Sequence, residues 1–268
     1  MSQTPSLFVS HGSPMFALTP GKAGPLLARI GRALSGVRAV LVVSPHWQTR
    51  GVRVMATAAP PTMHDFGGFP EPLYALHYPA PGAPALAQRA AAALRAAGFD
   101  IALDEHRGFD HGAWVPMRYL YPDASTPTLQ VSMPIDLDAA GALRLGTALA
   151  PLRDEGVLVV GSGSLTHNLG EFRRPLDDIA YIDEFADWVR AAVERGDIEA
   201  LVDYRRRAPH AQRAHPSEEH FLPLLIALGA AGETSATWID GGTTDRILRM
   251  DGAAWGLDAL THSALQAA

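Results

Sequence analysis

The sequence predicts an α/β fold: a single domain over residues 1–268 with a mostly parallel central sheet flanked by helices. Three observations carry that expectation. Short apolar runs rich in Val, Ile and Leu alternate with longer Ala/Leu/Arg segments of helical period, the pattern of strands covered by helices. The 268 residues, 47% hydrophobic and 19% charged, can bury a substantial core and show no signature of disorder. No internal repeat, low-complexity linker or charged tail divides the chain.

Taken in order, LFVS predicts a strand over 7–10, ended by the turn residues Gly12, Ser13 and Pro14. A helix over 24–34 and a strand over 39–44, from the run AVLVVS, follow. The segment 49–82 then breaks the rhythm; it is dense in Pro, Gly and aromatics, and loops of that length in compact domains are usually functional. Beyond it come a helix over 83–97, a strand over 101–104, a helix over 114–120 with Pro116 in its first turn, and a strand over 128–132. A helix over 137–152, the strand VLVVG over 157–161 and a helix over 179–195 continue the alternation. Arg205, Arg206 and Arg207 read as a solvated helix end. A helix over 218–228 with Leu222, Leu225 and Leu228 on one apolar face and a strand over 235–240 complete the pattern.

Composition excludes several function classes. A net charge of -6 and a pI near 6.0 remove the electrostatic reason to expect nucleic acid, so a small molecule is the expected partner. With no cysteine, disulfides, zinc-thiolate sites and thiol catalysis are absent, and any metal must be held by His, Asp or Glu. No apolar run reaches the roughly 18 residues of a transmembrane span, and no secretory signal is read, so a cytoplasmic protein is expected.

That puts weight on the 11 histidines. In open α/β sheets ligands lie beyond the carboxyl ends of the strands. His11 follows LFVS, His46 follows LVVS through Pro45, His167 follows LVVGSGSLT, and His111 sits in FDHGAW at a turn before a helix. Each alone could be a histidine satisfied by local hydrogen bonds; together they predict a site at one sheet edge. His220 lies at a helix start beside Glu218 and Glu219, which read either as first-turn acids or as the source of a carboxylate. His64 and His77 fall in the aromatic segment, where substrate contact and packing are both open. His106, His210, His215 and His262 are assigned surface or structural roles. No phosphate-binding loop and no HExxH occurs, and GSGSLTH does not complete a nucleophile elbow, which disfavours a serine hydrolase.

Six blocks, SHGSP at 10–14, SPHW at 44–47, HDFGGFPEPLYALHYPAPG at 64–82, DHGAWVP at 110–116, GSGSLTHNL at 161–169 and HFLPLL at 220–225, stand in one order along nearly the whole chain. In them the sequence resembles the class III extradiol ring-cleavage dioxygenases, in the DOPA 4,5-dioxygenase branch of the LigB-like superfamily. The resemblance implies a non-haem metal enzyme that opens a catechol such as DOPA with insertion of O2. It implies metal ligands at His11, His46 and His220, with His167 as a further ligand, and His111 and His167 as catalytic groups around the substrate. His167 would be base and then acid, and His111 a hydrogen-bond donor to negative charge developing on oxygen. Phe66, Phe69, Tyr74 and His77 are expected to wall the pocket. Fe(II) is expected for activity, with Zn(II) as an alternative bound metal. LigB itself completes its ligand set with Glu where this chain has His220, and an all-imidazole set also suits zinc. A zinc-dependent hydrolase using the same histidines, and a non-catalytic metal-binding protein, remain as alternatives; oligomeric state is not set by the sequence.

Overall fold

The computed structural model describes residues 3–34, 36–174, 178–232 and 235–257. Its strands are β1 (Ser6–Ser10), β2 (Ala39–Thr49), β3 (Val52–Met55), β4 (Ile101–Asp104), β5 (Thr128–Pro134), β6 (Val157–Gly163), β7 (Ala236–Ile239), β8 (Thr243–Thr244), β9 (Leu248–Arg249) and β10 (Gly252–Trp255). Its helices are α1 (Ala23–Ala33), α2 (Glu71–Tyr74), α3 (Pro84–Ala96), α4 (His111–Leu120), α5 (Ala139–Leu149), α6 (Tyr181–Glu194), α7 (Ile198–Val202), α8 (Tyr204–Arg207), α9 (Ala211–Ala214) and α10 (Leu222–Ala231).

Eight strands form one sheet in the order β4-β3-β5-β2-β6-β1-β10-β7, and β8 and β9 form a separate hairpin. The centre is parallel: β5 with β2, β2 with β6 and β6 with β1. These are the continuous apolar runs VLVV and LFV, buried on both faces as helix-covered parallel strands must be. β3 pairs parallel with β4 but antiparallel with β5, and β10 and β7 add an antiparallel edge beside β1. Helix α4 lies on β2 and β6 against α1, while α10 lies on β1 and β6 with α5 behind it.

The α/β expectation and the central strands hold, while other segments differ. The segment 49–82 is not loop throughout: after the Gly51 turn, at φ +65°, Val52–Met55 form β3, and the aromatic loop follows it. Gly252–Trp255 form β10, where no strand was expected, because the small residues Gly252, Ala253 and Ala254 lack a β-rich signature. Helix α4 starts at His111 rather than Trp114, since the Asp110 side chain caps it through Ala113 N, and Pro116 consequently sits inside it. The helix expected over 218–228 begins at Leu222, and its faces are all buried rather than amphipathic, packed between the sheet and α5. His262 lies outside the described residues.

Candidate active site

The central parallel strands deliver their histidines to one edge. His11 leaves the end of β1 with its main-chain N–H on Gly163 O, at 2.9 Å. His46 is carried by an irregularity inside β2: between the register pairs Val43↔Val131 and Gln48↔Met133, β2 advances five residues while β5 advances two. Pro45, with no N–H to give a ladder, is tolerated at such a bulge. His111 is the first residue of α4, and His167 follows β6 with its N–H on Ala214 O, at 2.9 Å. His220 precedes α10, and its carbonyl accepts from Ser164 N at 2.9 Å.

Two glycines permit these approaches. A Cβ on Gly163 would lie 2.2 Å from His220 O, and one on Gly112 would lie 2.2 Å from Ser44 Oγ. Any side chain at either position would push His220 off β6 or α4 off β2.

Five rings converge. His11 Nε2 and His46 Nε2 are 3.0 Å apart. Ring centroids of His46 and His111 are 3.9 Å apart, those of His46 and His220 5.2 Å, and those of His11 and His220 5.5 Å. His167 stacks on His220 at 3.5 Å, nearly parallel. Ligating atoms of His11, His46 and His111 all lie within 4.8 Å of one another, as do those of His167, Glu219 and His220.

The outer nitrogens are committed, which sets what the rings present inward. Ser162 donates its hydroxyl proton to Gly112 O, so the 3.0 Å contact with His11 Nδ1 requires that Nδ1 donate to Ser162 Oγ. His11 therefore turns the lone pair of Nε2 inward. His111 donates from Nδ1 to Asp65 Oδ2 at 2.9 Å, and His220 Nδ1 lies 3.2 Å from Glu219 Oε1. His220 Nε2 is buried and has no hydrogen-bond partner. A buried acceptor left empty costs about 1–3 kcal/mol, so its retention points to a ligand.

Electrostatics agree. Burial, reinforced by the neighbouring imidazoles, holds His11 and His220 well below the usual histidine range. Burial and His111 lower His46 to about 3, and burial lowers His167. These rings are neutral near pH 7, the form that binds a cation. Burial works to raise the Asp65 carboxyl, but the hydrogen bond and charge of His111 overcome it and leave it below the ordinary value. Two ligating nitrogens 3.0 Å apart match adjacent ligands at about 2.1 Å from one ion. The residues present therefore fit a divalent metal held by imidazoles.

Among the expected wall residues, Phe66 stands edge-on to the His111 ring at 5.7 Å. Phe69 and Tyr74 pack on Phe66 at 5.3 and 5.4 Å, one layer out. His77 is exposed and meets His64 at 5.8 Å, while His64 Nε2 bonds Leu76 O within the loop. His106 and His210 are exposed and His215 is fully buried, in keeping with surface and structural roles. Arg205 is only partly a solvated end, since it donates to His215 O. Sequence reasoning missed Asp65 and Ser162. Both lie inside the quoted blocks, but which histidine each would face is a property of the fold.

The family model describing the catalytic LigB subunit of aromatic ring-opening dioxygenase matches residues 6–246. The chain is 43% identical over 238 residues to a 4,5-DOPA dioxygenase extradiol of Escherichia coli (strain K12), covering 86% of this chain and 87% of that protein. It is 41% identical over 235 residues to the protein of the same name from Beta vulgaris, covering 86% and 88%. An uncharacterized protein of Escherichia coli K12, solved by crystallography, superposes with a TM-score of 0.75 at 34% identity, over 94% of this chain and 100% of that one.

Proposed function

The chain belongs to the LigB family of aromatic ring-opening dioxygenases, and from that premise we propose that it opens the ring of a DOPA-like catechol beside its two hydroxyls. Both atoms of O2 enter the product, a ring-opened semialdehyde, so atoms balance with no further reductant. The whole chain, 1–268, acts as one catalytic domain on a small molecule and dioxygen. None of the described helices is long and apolar enough to cross a membrane, and a reducing cytoplasmic setting suits a ferrous site.

The observation that carries this reading is the buried, unpartnered Nε2 of His220 beside the inward lone pair on His11 Nε2. His11, His46 and His220 would hold the metal. Fe(II) there would supply the redox change that joins a catecholate to dioxygen, which Zn(II) lacks. His167, neutral because burial lowers it, accepts the proton of a catechol hydroxyl and returns it when the O–O bond breaks. His111 turns Nε2 inward with Asp65 behind it; once a second proton is on the ring, Asp65 is its counter-charge and Nε2 donates to oxygen. Phe66 stands edge-on over that side.

A second ligand set has its own support: the donor atoms of His11, His46 and His111 are mutually close enough for His111 to be the third ligand. Retention of metal by His111→Ala and its loss in His220→Ala favours the first set, and the converse favours the second. The activity test is reconstitution with Fe(II) under anaerobic conditions followed by an oxygen-electrode screen of substituted catechols. Uptake of one O2 per DOPA with a semialdehyde chromophore is expected; metal-dependent hydrolysis without oxygen uptake would refute the reading.

A further inference from the structure

His46 lies in the bulged stretch of β2, between its register pairs with the neighbouring strands. Pairing with β6 ends at Val43↔Gly161, and pairing with β5 lapses from Val43 to Gln48. Side chains from outside the sheet ladder hold the His46 main chain: its N–H meets Ser44 Oγ at 3.2 Å, and its carbonyl accepts from Arg107 Nη2 at 3.2 Å. The same Nη2 donates to Asp110 Oδ2 at 2.8 Å, and the guanidinium lies over the Trp47 ring at 4.9 Å.

Asp110 is fully buried and serves both histidines. Its Oδ1 accepts from Ala113 N at 3.2 Å, capping α4 where His111 is the first residue. Its Oδ2 also accepts from Gln130 Nε2 at 2.9 Å, and its own N–H donates to Gln130 Oε1 at 3.1 Å. Gln130 belongs to β5, so the arrangement is tied to the centre of the sheet. The ion pair is not the cheapest way to fill this space: Arg107 Nε is buried without a partner, and buried pairs often stabilise less than apolar groups of the same volume.

We propose that Arg107 and Asp110 are positioning residues that fix His46 and His111 relative to one another, and so set the spacing of the inward nitrogens. The inference rests on the metal-site reading above and extends it to two side chains that touch neither metal nor substrate. Both bonds leave one nitrogen of the guanidinium fork, whose flat face stacks on Trp47 at the same time; a lysine ammonium can supply the donors but not the stacking plane. Partners one layer behind metal-ligating histidines are commonly worth 10–100-fold in metal affinity.

The test pairs two variants with a readout independent of turnover. Arg107→Met combined with Asp110→Asn removes the fork without leaving a lone buried charge, and Asn retains a capping oxygen for α4. Arg107→Lys keeps the ion pair. Zn(II) dissociation constants come from competition with a chromogenic chelator, and Co(II) absorption reports the ligand field. The double variant is expected to unfold near the wild-type temperature, to raise the Zn(II) Kd about 10–100-fold and to alter the Co(II) spectrum; Arg107→Lys is expected to raise it about 10-fold. A wild-type Kd and Co(II) spectrum in both variants would overturn the proposal. Should wild type bind metal yet cleave no catechol, the dioxygenase reading fails while the Kd comparison still decides the role of Arg107 and Asp110.

Discussion

The two ends of α10 are built on opposite principles. Before its start His220 presents a buried Nε2 with no partner, among imidazoles that burial keeps neutral. Near its end Arg153, 2% exposed, donates to Ala230 O and Ala231 O at 2.6 and 2.8 Å and to Thr4 O at 2.6 Å. Those carbonyls are the ones a helix leaves without an internal partner, and a guanidinium there also suits the negative end of the helix. One end holds polar capacity empty at a cost, and the other fills it. The difference separates a site from a scaffold on the same helix: charge is tolerated in the interior where every acceptor is used, and lone pairs are left over where something else is to bind.

The contrast can be broken with pH. Histidines held below their ordinary range bind protons more readily in the unfolded chain, so stability is present above pH 6.5 and is lost as pH falls toward the folded values, about 3 for His46. With its folded value about 3, His46 removes about 2 kcal/mol between pH 7 and pH 5, and His11 and His220 act in the same direction. Urea denaturation of the metal-free protein should show that loss, and added Zn(II) should raise stability by about the same amount across the range, because the folded rings carry no proton for it to displace; a midpoint that is flat over this range without metal would contradict the neutral cluster. Arg153 does not titrate there, so Arg153→Met tests the other end by stability alone. It should cost about 3 kcal/mol by leaving three buried carbonyls unmatched, with turnover per folded molecule unchanged; a matching fall in turnover would show that the two ends are coupled. The smallest effect is expected for Ser162→Ala, which frees the His11 tautomer and should weaken Zn(II) binding about 10-fold at unchanged fold, measured by chelator competition.

Much of this molecule was legible before folding. The runs that become β1, β2, β5 and β6 were found with starts within one residue of those observed, since continuous apolar runs have few other places to go, while β2 runs five residues beyond its expected end. β10 and the short helices between 198 and 214 were not found: small or mixed residues become strand or helix there through what they pack against. The histidines were recognisable because residue type and position after a strand are local properties of the chain.

By itself the sequence determined the material of the site: cysteine-free chemistry, imidazoles placed after parallel strands, and glycines and prolines where the backbone must bend or draw close. The tertiary structure alone decided which nitrogen each ring turns inward, that His167 stacks on His220, and that Ser162, Asp65, Arg107 and Asp110 stand behind the rings. The reason is physical. Hydrogen-bond partners such as Ser162 and His11 are 151 positions apart in the chain, and whether they meet depends on strand order and on a bulge in β2, features that no local pattern of residues encodes.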